Sequence, residues 1–421
     1  SVVDTMVAGY NLGDGAIAAI GATAALYSLF IHVSLGLNRG FAIVVTQSYG
    51  AKREEDIKAS IASTILLNAF VTVVLTTITC TFMHPFLKMM KTPTEIYQDT
   101  YNYIIVICAG MVATIAFNMF SSILNAFGNS RTSNIYLIVS SLLNIVLDLL
   151  FIMVFHMGVQ GAAWATVISA LISAVLSGWY FFRNYKEVLP ERRHWRINRR
   201  IMKEMITVGM GMALMITAVD IGTMIFQGAN NGLGTLYITA HTTARRIIVL
   251  LMQPQTSLYL GVATFVGQNW GAGNRKRIAK NLPKGVGMVV VWDFIAILSM
   301  FLFASPLVRL MTGTTDKEVL RLAVLSIHLN VILFPFCGVL CTLRAVLQSM
   351  GIKVRPVLCS IIELVMKVIS AIWIVPKVGF LAVCVTEPAT WVVCAIFIVV
   401  VYLTERKRLL IFKNIETEAI I

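Results

Sequence analysis

The stretch GFAIVVTQSYGA, residues 40–51, has a counterpart in GVATFVGQNWGA, residues 261–272, at a separation of 221 positions. The two stretches align without a gap, and six of their twelve positions are identical. Gly158 and Gly379 show the same separation. The chain of 421 residues therefore consists of two homologous halves.

Both halves are strongly apolar. The chain is 58% hydrophobic and 13% charged, with a mean hydropathy of +0.82, whereas soluble domains average about 25% charged residues. Its apolar stretches have about the 20 residues that a helix needs to cross a bilayer, and they lack the alternation of a membrane β-barrel. The sequence predicts an all-α polytopic membrane protein with twelve transmembrane helices as two six-helix parallel repeats. The spans are predicted at 1–8, 15–37, 59–83, 100–127, 134–155, 161–182, 205–227, 233–262, 285–308, 322–349, 356–376 and 380–403.

The first of these spans is only eight residues long, whereas its counterpart, 205–227, has full length. We therefore expect the first helix to be truncated in this sequence.

The basic residues assign the two sides of the membrane. If the connections alternate between sides, one side carries 23 of the 34 Lys and Arg residues and the other carries six, with five within or at the ends of spans. The richer side is cytoplasmic by the positive-inside rule. The net charge of +14 therefore indicates topology rather than nucleic-acid binding, and we expect a multi-pass protein of the cell (plasma) membrane.

The longest polar connection lies between the sixth and seventh spans and divides the chain. We predict an N-terminal lobe at 1–183, a cytoplasmic linker at 184–204, a C-terminal lobe at 205–403 and a cytoplasmic tail at 404–421. A repeat that carries six spans places both lobes in the same orientation, as in secondary transporters that bind substrate between their repeats.

No sequence motif indicates catalysis. The chain contains no GxxxxGK[ST] phosphate loop, no HExxH and no nucleophile elbow. The seven cysteines all lie in apolar stretches, which argues against a disulfide framework or a zinc site. We expect neither an enzyme nor a resident cofactor.

Ionisable side chains inside spans are functional candidates, because their insertion costs at least about 2.5–3.5 kcal/mol. The acids in such positions are Asp4, Asp148, Asp220, Asp293, Glu363 and Glu387.

Asp148 has the richest setting of the six. Asn144 lies one helical turn before it, and both side chains therefore share a face. Thr166 in the next span adds a hydroxyl, and Asp4 adds a second carboxylate. Oxygen ligands of this kind suit Na⁺, whereas two neighbouring carboxylates suit a proton. A buried polar network that only joins helices is equally consistent with these residues.

The second lobe offers weaker candidates. Asp220 occupies much the same place in its span as Asp4, although the separation is 216 rather than 221. Glu387 precedes Pro388, and this pair predicts a helix break that exposes carbonyl groups to a cavity. Asp220 and Glu387 are therefore the candidate residues of a second-lobe site.

Other polar residues and prolines of the second half have structural interpretations. The i, i+4 spacing of Glu363 and Lys367 predicts an ion pair. Asp293 is expected to reach toward the membrane interface. Pro254 and Pro335 are expected to kink their spans.

Several motifs together resemble a known family. VDTMVAG (3–9), the QSYGA and QNWGA turns, NIVLD (144–148) and the six-plus-six arrangement are similar to the multidrug and toxin extrusion (MATE) family of cation-coupled efflux transporters. The resemblance implies a V-shaped pair of lobes that exports hydrophobic organic cations, such as drugs and toxins, in exchange for Na⁺ or H⁺ by alternating access. It further implies a coupling-cation site, with metal ligands if the ion is Na⁺, at Asp4, Asn144, Asp148 and Thr166.

The partners that we expect are a small cationic substrate and the lipid bilayer, with no nucleic acid and a monomeric chain. The alternative function is a lipid-linked oligosaccharide flippase of the same superfamily, whose anionic cargo requires a basic cavity. Six intramembrane acids against five Lys or Arg residues slightly favour cationic cargo.

Overall fold

The computed structural model describes residues 14–89, 94–312 and 316–418, and all regular structure within these ranges is helical. The longer helices of the first part are α1 (Asp14–Gly50), α2 (Glu54–Thr81), α3 (Met83–Met89), α4 (Tyr97–Ala109), α5 (Met111–Ala126), α6 (Ser130–Leu149) and α7 (Gly158–Asn184). Those that follow are α8 (Arg199–Asn231), α9 (Thr235–Gly271), α10 (Arg275–Thr312), α11 (Lys317–Val331), α12 (Phe334–Ser349), α13 (Val354–Ile369), α14 (Val375–Val378) and α15 (Phe380–Glu418). The predicted all-α fold is confirmed.

Many of these helices are suited to a bilayer. By length and composition, nine helices in the described ranges can cross a membrane, and two bent pairs raise the number to at most eleven. Their apolar side chains are exposed on one side, as with Phe70 (67%) and Leu298 (64%), which suits contact with lipid. The predicted span at 1–8 lies outside the described residues.

Two predicted spans are bent rather than straight. The span predicted at 100–127 is α4 and α5, which meet at Gly110 with a bend of 43°. The span predicted at 322–349 is α11 and α12, bent by 48°. Pro335 lies in the first turn of α12, where a missing N–H is tolerated, so the kink expected at this proline is present. Pro254 lies inside α9, which continues as a helix on both sides of it.

The helix boundaries reproduce the internal repeat. Helices α1 and α9 both contain 37 residues, and they end at Gly50 and Gly271, which are 221 positions apart. Gly158 and Gly379 both adopt positive φ angles, 62° and 73°, at the connections before α7 and α15. Glycine takes this left-handed conformation without steric penalty. At these two pairs of positions, the structure agrees with the two halves predicted from the sequence.

The chain forms two compact units, the first ending at Ala213 and the second beginning at Leu214, and we call them the first and second lobes. The division falls within α8, beyond the polar segment predicted as the linker at 184–204. In the first lobe the backbones of α1 and α8 lie very close together at Gly40 and Gly209. A Cβ atom added to Gly40 would lie only 2.4 Å from the Cα of Gly209. Small residues permit this approach between membrane helices.

Ion pairs attach the polar segment after α7 to the start of α2. Lys58 Nζ donates to Glu191 Oε1 at 2.7 Å, and Arg193 donates to Glu55 at 2.7 Å. The hydrogen bond from Lys58, with the nearby Arg193, lowers the pKa of the Glu191 carboxyl below its ordinary value. His194 is buried and bonds to Glu55 at 3.0 Å. Because the pKa of Glu191 is lowered, its stabilising contribution is present at neutral pH and is lost as the pH falls through that lowered value.

The side of the membrane on which this segment lies is testable with single cysteines. Arg196 is exposed in the segment, and Lys317 is exposed at the start of α11, on the side that carries few basic residues. We expect Arg196→Cys to react with a membrane-impermeant maleimide only in opened cells, and Lys317→Cys to react in intact cells. The parent chain provides the background, because its seven cysteines are buried or half-buried. Labelling of Arg196→Cys in intact cells would show that the two sides of the membrane are assigned the wrong way round.

Candidate functional site

Helix α6 of the first lobe has a buried polar face and an exposed apolar face. Its buried residues are Ser133, Asn144 and Asp148, and Asp148 is fully buried. Leu142 and Val146 on the other face are 60% and 59% exposed. A helix on the surface of a soluble protein has the opposite arrangement, with apolar residues buried and polar residues exposed. The apolar face of α6 is therefore suited to contact lipid, and its polar face packs inside the lobe.

Thr166 on α7 completes this polar face. Asn144 Nδ2 lies 3.5 Å from Thr166 Oγ1, and the Thr166 hydroxyl donates to the backbone carbonyl of Ala162 at 3.1 Å. Since the hydroxyl proton is engaged there, the Thr166 oxygen acts as an acceptor toward Asn144. The structure thus brings Asn144 and Thr166 together, with Asp148 one turn away on the same buried face. Asp4 lies outside the described residues.

The helix widens immediately after Asp148. Residues Leu150–Val154 form a π-helical turn, in which the Phe155 N–H donates to the carbonyl of Leu150 at 3.0 Å. Turns of this kind are frequent at functional sites, because the extra residue displaces the following side chains around the helix. The second lobe repeats the feature at Ser370–Ile374, after α13.

The oxygen-rich first-lobe site suits a hard cation better than a transition metal. Among residues whose side chains the structure describes, no three His, Cys, Asp or Glu side chains converge as metal ligands. The donors at the first-lobe site are one carboxylate, one amide and one hydroxyl, which suit Na⁺. The carboxylate of Asp148 is also the group that would take up a proton.

In the second lobe, the candidate Glu387 is engaged with basic side chains. Arg245 on α9 donates to Glu387, and Lys367 Nζ lies 3.7 Å from it. Lys367 also lies 3.0 Å from Glu363, which confirms the predicted i, i+4 ion pair, and Arg344 lies 3.7 Å from Glu363. These five side chains form what we call the second-lobe ion network.

The helix break predicted at Glu387 and Pro388 does not occur, and α15 continues through both residues. Pro388 cannot donate to the carbonyl of Cys384 one turn earlier. The side chain of Asn330 on α11 donates to that carbonyl instead, at 3.2 Å. The exposed carbonyl that the sequence predicted is therefore satisfied by a neighbouring helix, which explains why the helix stays intact.

Asp220, the other second-lobe candidate, is partly buried on α8. Thr223, one turn after it, accepts a hydrogen bond from Lys367 at 3.2 Å. The face of α8 that carries Asp220 is therefore directed toward the second-lobe ion network.

Asp293 differs most from its expectation. It does not reach toward the interface, because it is fully buried near the middle of α10 and accepts a hydrogen bond from Gln255 at 2.7 Å. Hydropathy gives no sign of this, since Gln255 lies 38 positions away on α9.

A sequence profile of the MatE family matches residues 1–150 and 205–373. The chain belongs to the MatE family. The resemblance of its motifs to this family is thereby confirmed, and this MatE protein is a multi-pass membrane transporter and not an enzyme.

Named relatives and a solved structure agree with the assignment. The MatE protein is 25% identical to "Probable multidrug resistance protein YoeA" of Bacillus subtilis (strain 168), over 86% of this chain and 79% of the relative. It is 23% identical to "Multidrug export protein MepA" of Staphylococcus aureus (strain MSSA476), over 81% and 78%. A crystal structure of a MATE in the bent conformation superposes with a TM-score of 0.89 at 20% identity, over 99% of this chain and 92% of that one. The last likeness supports the fold.

Proposed function

We propose that this transporter exports hydrophobic organic cations in exchange for Na⁺ or H⁺ by alternating access, and that Asn144, Asp148 and Thr166 hold the coupling ion. The observation that carries the proposal is the inverted polarity of α6. A fully buried carboxylate, with an amide one turn away and a threonine hydroxyl 3.5 Å from that amide, offers several ligand oxygens inside one lobe.

Drug export rests on the relatives. YoeA and MepA are named for multidrug resistance and multidrug export, and each aligns with more than three quarters of this chain. A buried carboxylate favours a cation as the driving ion, since a bound cation or proton offsets its negative charge inside the bilayer. We propose that the ion and the organic cation are bound in alternation, so that release of one permits binding of the other.

The flippase alternative is not favoured. An anionic lipid-linked sugar requires unpaired basic groups, whereas three of the five intramembrane basic residues, Arg245, Arg344 and Lys367, are paired with carboxylates. The two named relatives are multidrug proteins.

Accumulation of a cationic dye tests the proposed export. Cells that make the transporter should accumulate less dye than cells with the empty vector, because export opposes uptake. The difference should disappear when both ion gradients are collapsed. Equal accumulation in the two strains, with the transporter present in the membrane, would contradict the proposal.

A further inference from the structure

Asp293 is a charged residue type in an otherwise apolar buried row of the second lobe. On α10 the buried face consists of Val289, Asp293, Ala296 and Met300, which follow one another at helical spacing. Asp293 and Val289 are fully buried. A carboxyl group in this row is surrounded by protein on all sides, so any function it has is exerted inside the lobe.

One oxygen of Asp293 is satisfied and the other is not. Gln255 Nε2 donates to Oδ1 at 2.7 Å, while Oδ2 has no hydrogen-bond partner among the described residues. Oδ2 is directed at the backbone of α12, where a Cβ atom on Gly338 would lie 2.1 Å from it. Only glycine at position 338 leaves room for this oxygen.

The surroundings of Asp293 hold no counter-charge in contact with it. None of the ion pairs among the described residues includes Asp293. Arg344 is directed to Glu363, and the His328 ring donates to the Met300 carbonyl at 3.2 Å. The titratable side chains on the helices packed against α10 include Tyr259 on α9, His328 on α11 and Cys337, Cys341 and Arg344 on α12.

An unpaired carboxylate in such a setting takes up a proton rather than remain charged. Na⁺ does not fit here as well, because Gln255 presents its N–H to Asp293 while its oxygen lies 3.8 Å from the Cys337 sulfur. The site therefore offers one carboxyl group and a hydrogen-bond donor, which suit a proton and lack the several oxygens that Na⁺ requires.

The Asp293 Oδ2 atom lies close to the bend between α11 and α12. Gly338 lies one turn after Pro335, at the start of α12, and α11 and α12 meet there at 48°. In many transporters, discontinuous membrane helices form the sites that bind substrate and coupling ions. Movement of α12 would change what faces Oδ2, and with it the affinity of Asp293 for a proton.

We infer that Asp293 is a proton-binding site in the second lobe, loaded in the conformation described here and unloaded when α12 moves. The inference rests on the proposed function, because it adds a second ion site to a cation-coupled exporter. The first lobe does not duplicate it: at a separation of 221, Gln255 and Asp293 correspond to Ser34 and Thr72. The site is thus specific to one lobe.

Infrared difference spectroscopy on the purified full-length chain in lipid tests the inference, because a protonated carboxyl group has a C=O stretch distinct from that of a carboxylate. The variant Asp293→Asn has the shape of the protonated acid and should fold. We expect the wild-type protein to show one carboxyl band that Asp293→Asn lacks and that Asp148→Asn retains. The band should disappear as the buffer is changed from mildly acidic to mildly alkaline. The exposed control Glu318→Gln should leave it unchanged.

A second readout counts protons on cargo binding. Tetraphenylphosphonium added to weakly buffered protein should release fewer protons from Asp293→Asn than from the wild-type protein. If Asp293→Asn does not fold, Asp293→Thr, which introduces the first-lobe residue, replaces it. Absence of the band, or a band that neither pH nor tetraphenylphosphonium changes, would overturn the inference. Failure of the proposed export would appear separately, as no movement of the dye with the pH-sensitive band intact.

Discussion

Replacing Asp148 by Asn is expected to abolish uphill export of an organic cation while leaving the protein folded. The substitution keeps the volume of a fully buried side chain and removes its charge. Without the carboxylate, we expect neither Na⁺ nor a proton to bind at the first-lobe site. The ion gradient then no longer drives transport of the cargo. Ion–cargo coupling of about 1–3 kcal/mol corresponds to a change of roughly 5–150-fold in cargo affinity on ion binding, and the variant should lose this change. Downhill movement of cargo should persist in part.

The control for Asp148→Asn is Asp99→Asn, which removes an exposed charge from the first turn of α4 in the same lobe. It should leave efflux near the wild-type level. Folded protein, measured by size-exclusion chromatography, and efflux must come from the same preparation, because a residue that only joins helices reduces the folded fraction when it is changed. A folded Asp148→Asn variant with full uphill efflux would remove Asp148 from the coupling site.

The second large effect is expected on stability, in the second-lobe ion network. Glu363 is the partner of both Arg344 and Lys367, and its side chain is 6% exposed. Glu363→Gln would leave Glu387 as the only carboxylate of the network against three basic groups. Removal of one partner from a buried ion pair costs about 3–5 kcal/mol. We expect a loss of that size in the free energy of unfolding, measured by denaturant titration in mixed micelles.

A double-mutant cycle separates the network from a local packing effect. Lys367→Met alone leaves two ion pairs intact, Arg245 with Glu387 and Arg344 with Glu363. Its effect on the free energy of unfolding should therefore be smaller than that of Glu363→Gln. The double variant should be less destabilised than the sum of the two changes, because the acid and the base are then removed together. Additive effects would show that the two side chains do not interact. Glu318→Gln, in an exposed pair, is the matched control and should change stability by less than about 1 kcal/mol.

Much of the fold follows from the sequence, because lipid imposes length and apolarity on each helix. The repeat read from residues 40–51 and 261–272 reappears in the helix boundaries at Gly50 and Gly271. The spacing of Asn144 and Asp148 places both on one face of α6, as the periodicity of a helix requires. Local spacing was sufficient for these features, since all the residues concerned belong to one helix.

Features that depend on contacts between helices were not predictable in the same way. A hydropathy window cannot distinguish a straight span from the pair α4 and α5, because the bend at Gly110 changes neither length nor composition. The continuous helix through Pro388 depends on Asn330, which lies on another helix. The same limit applies to Asp293, since its donor, Gln255, lies on α9.

Cation-coupled export is tested most directly by dye efflux from proteoliposomes under Na⁺ and H⁺ gradients imposed one at a time. With the wild-type protein, a cationic dye should move against its own gradient when at least one of the two ion gradients is present, and should stop when that gradient is dissipated. Proteoliposomes with Asp148→Asn should show no uphill movement of the dye under either gradient. Uphill movement that needs neither gradient, or no uphill movement by the folded wild-type protein under either, would contradict cation-coupled export.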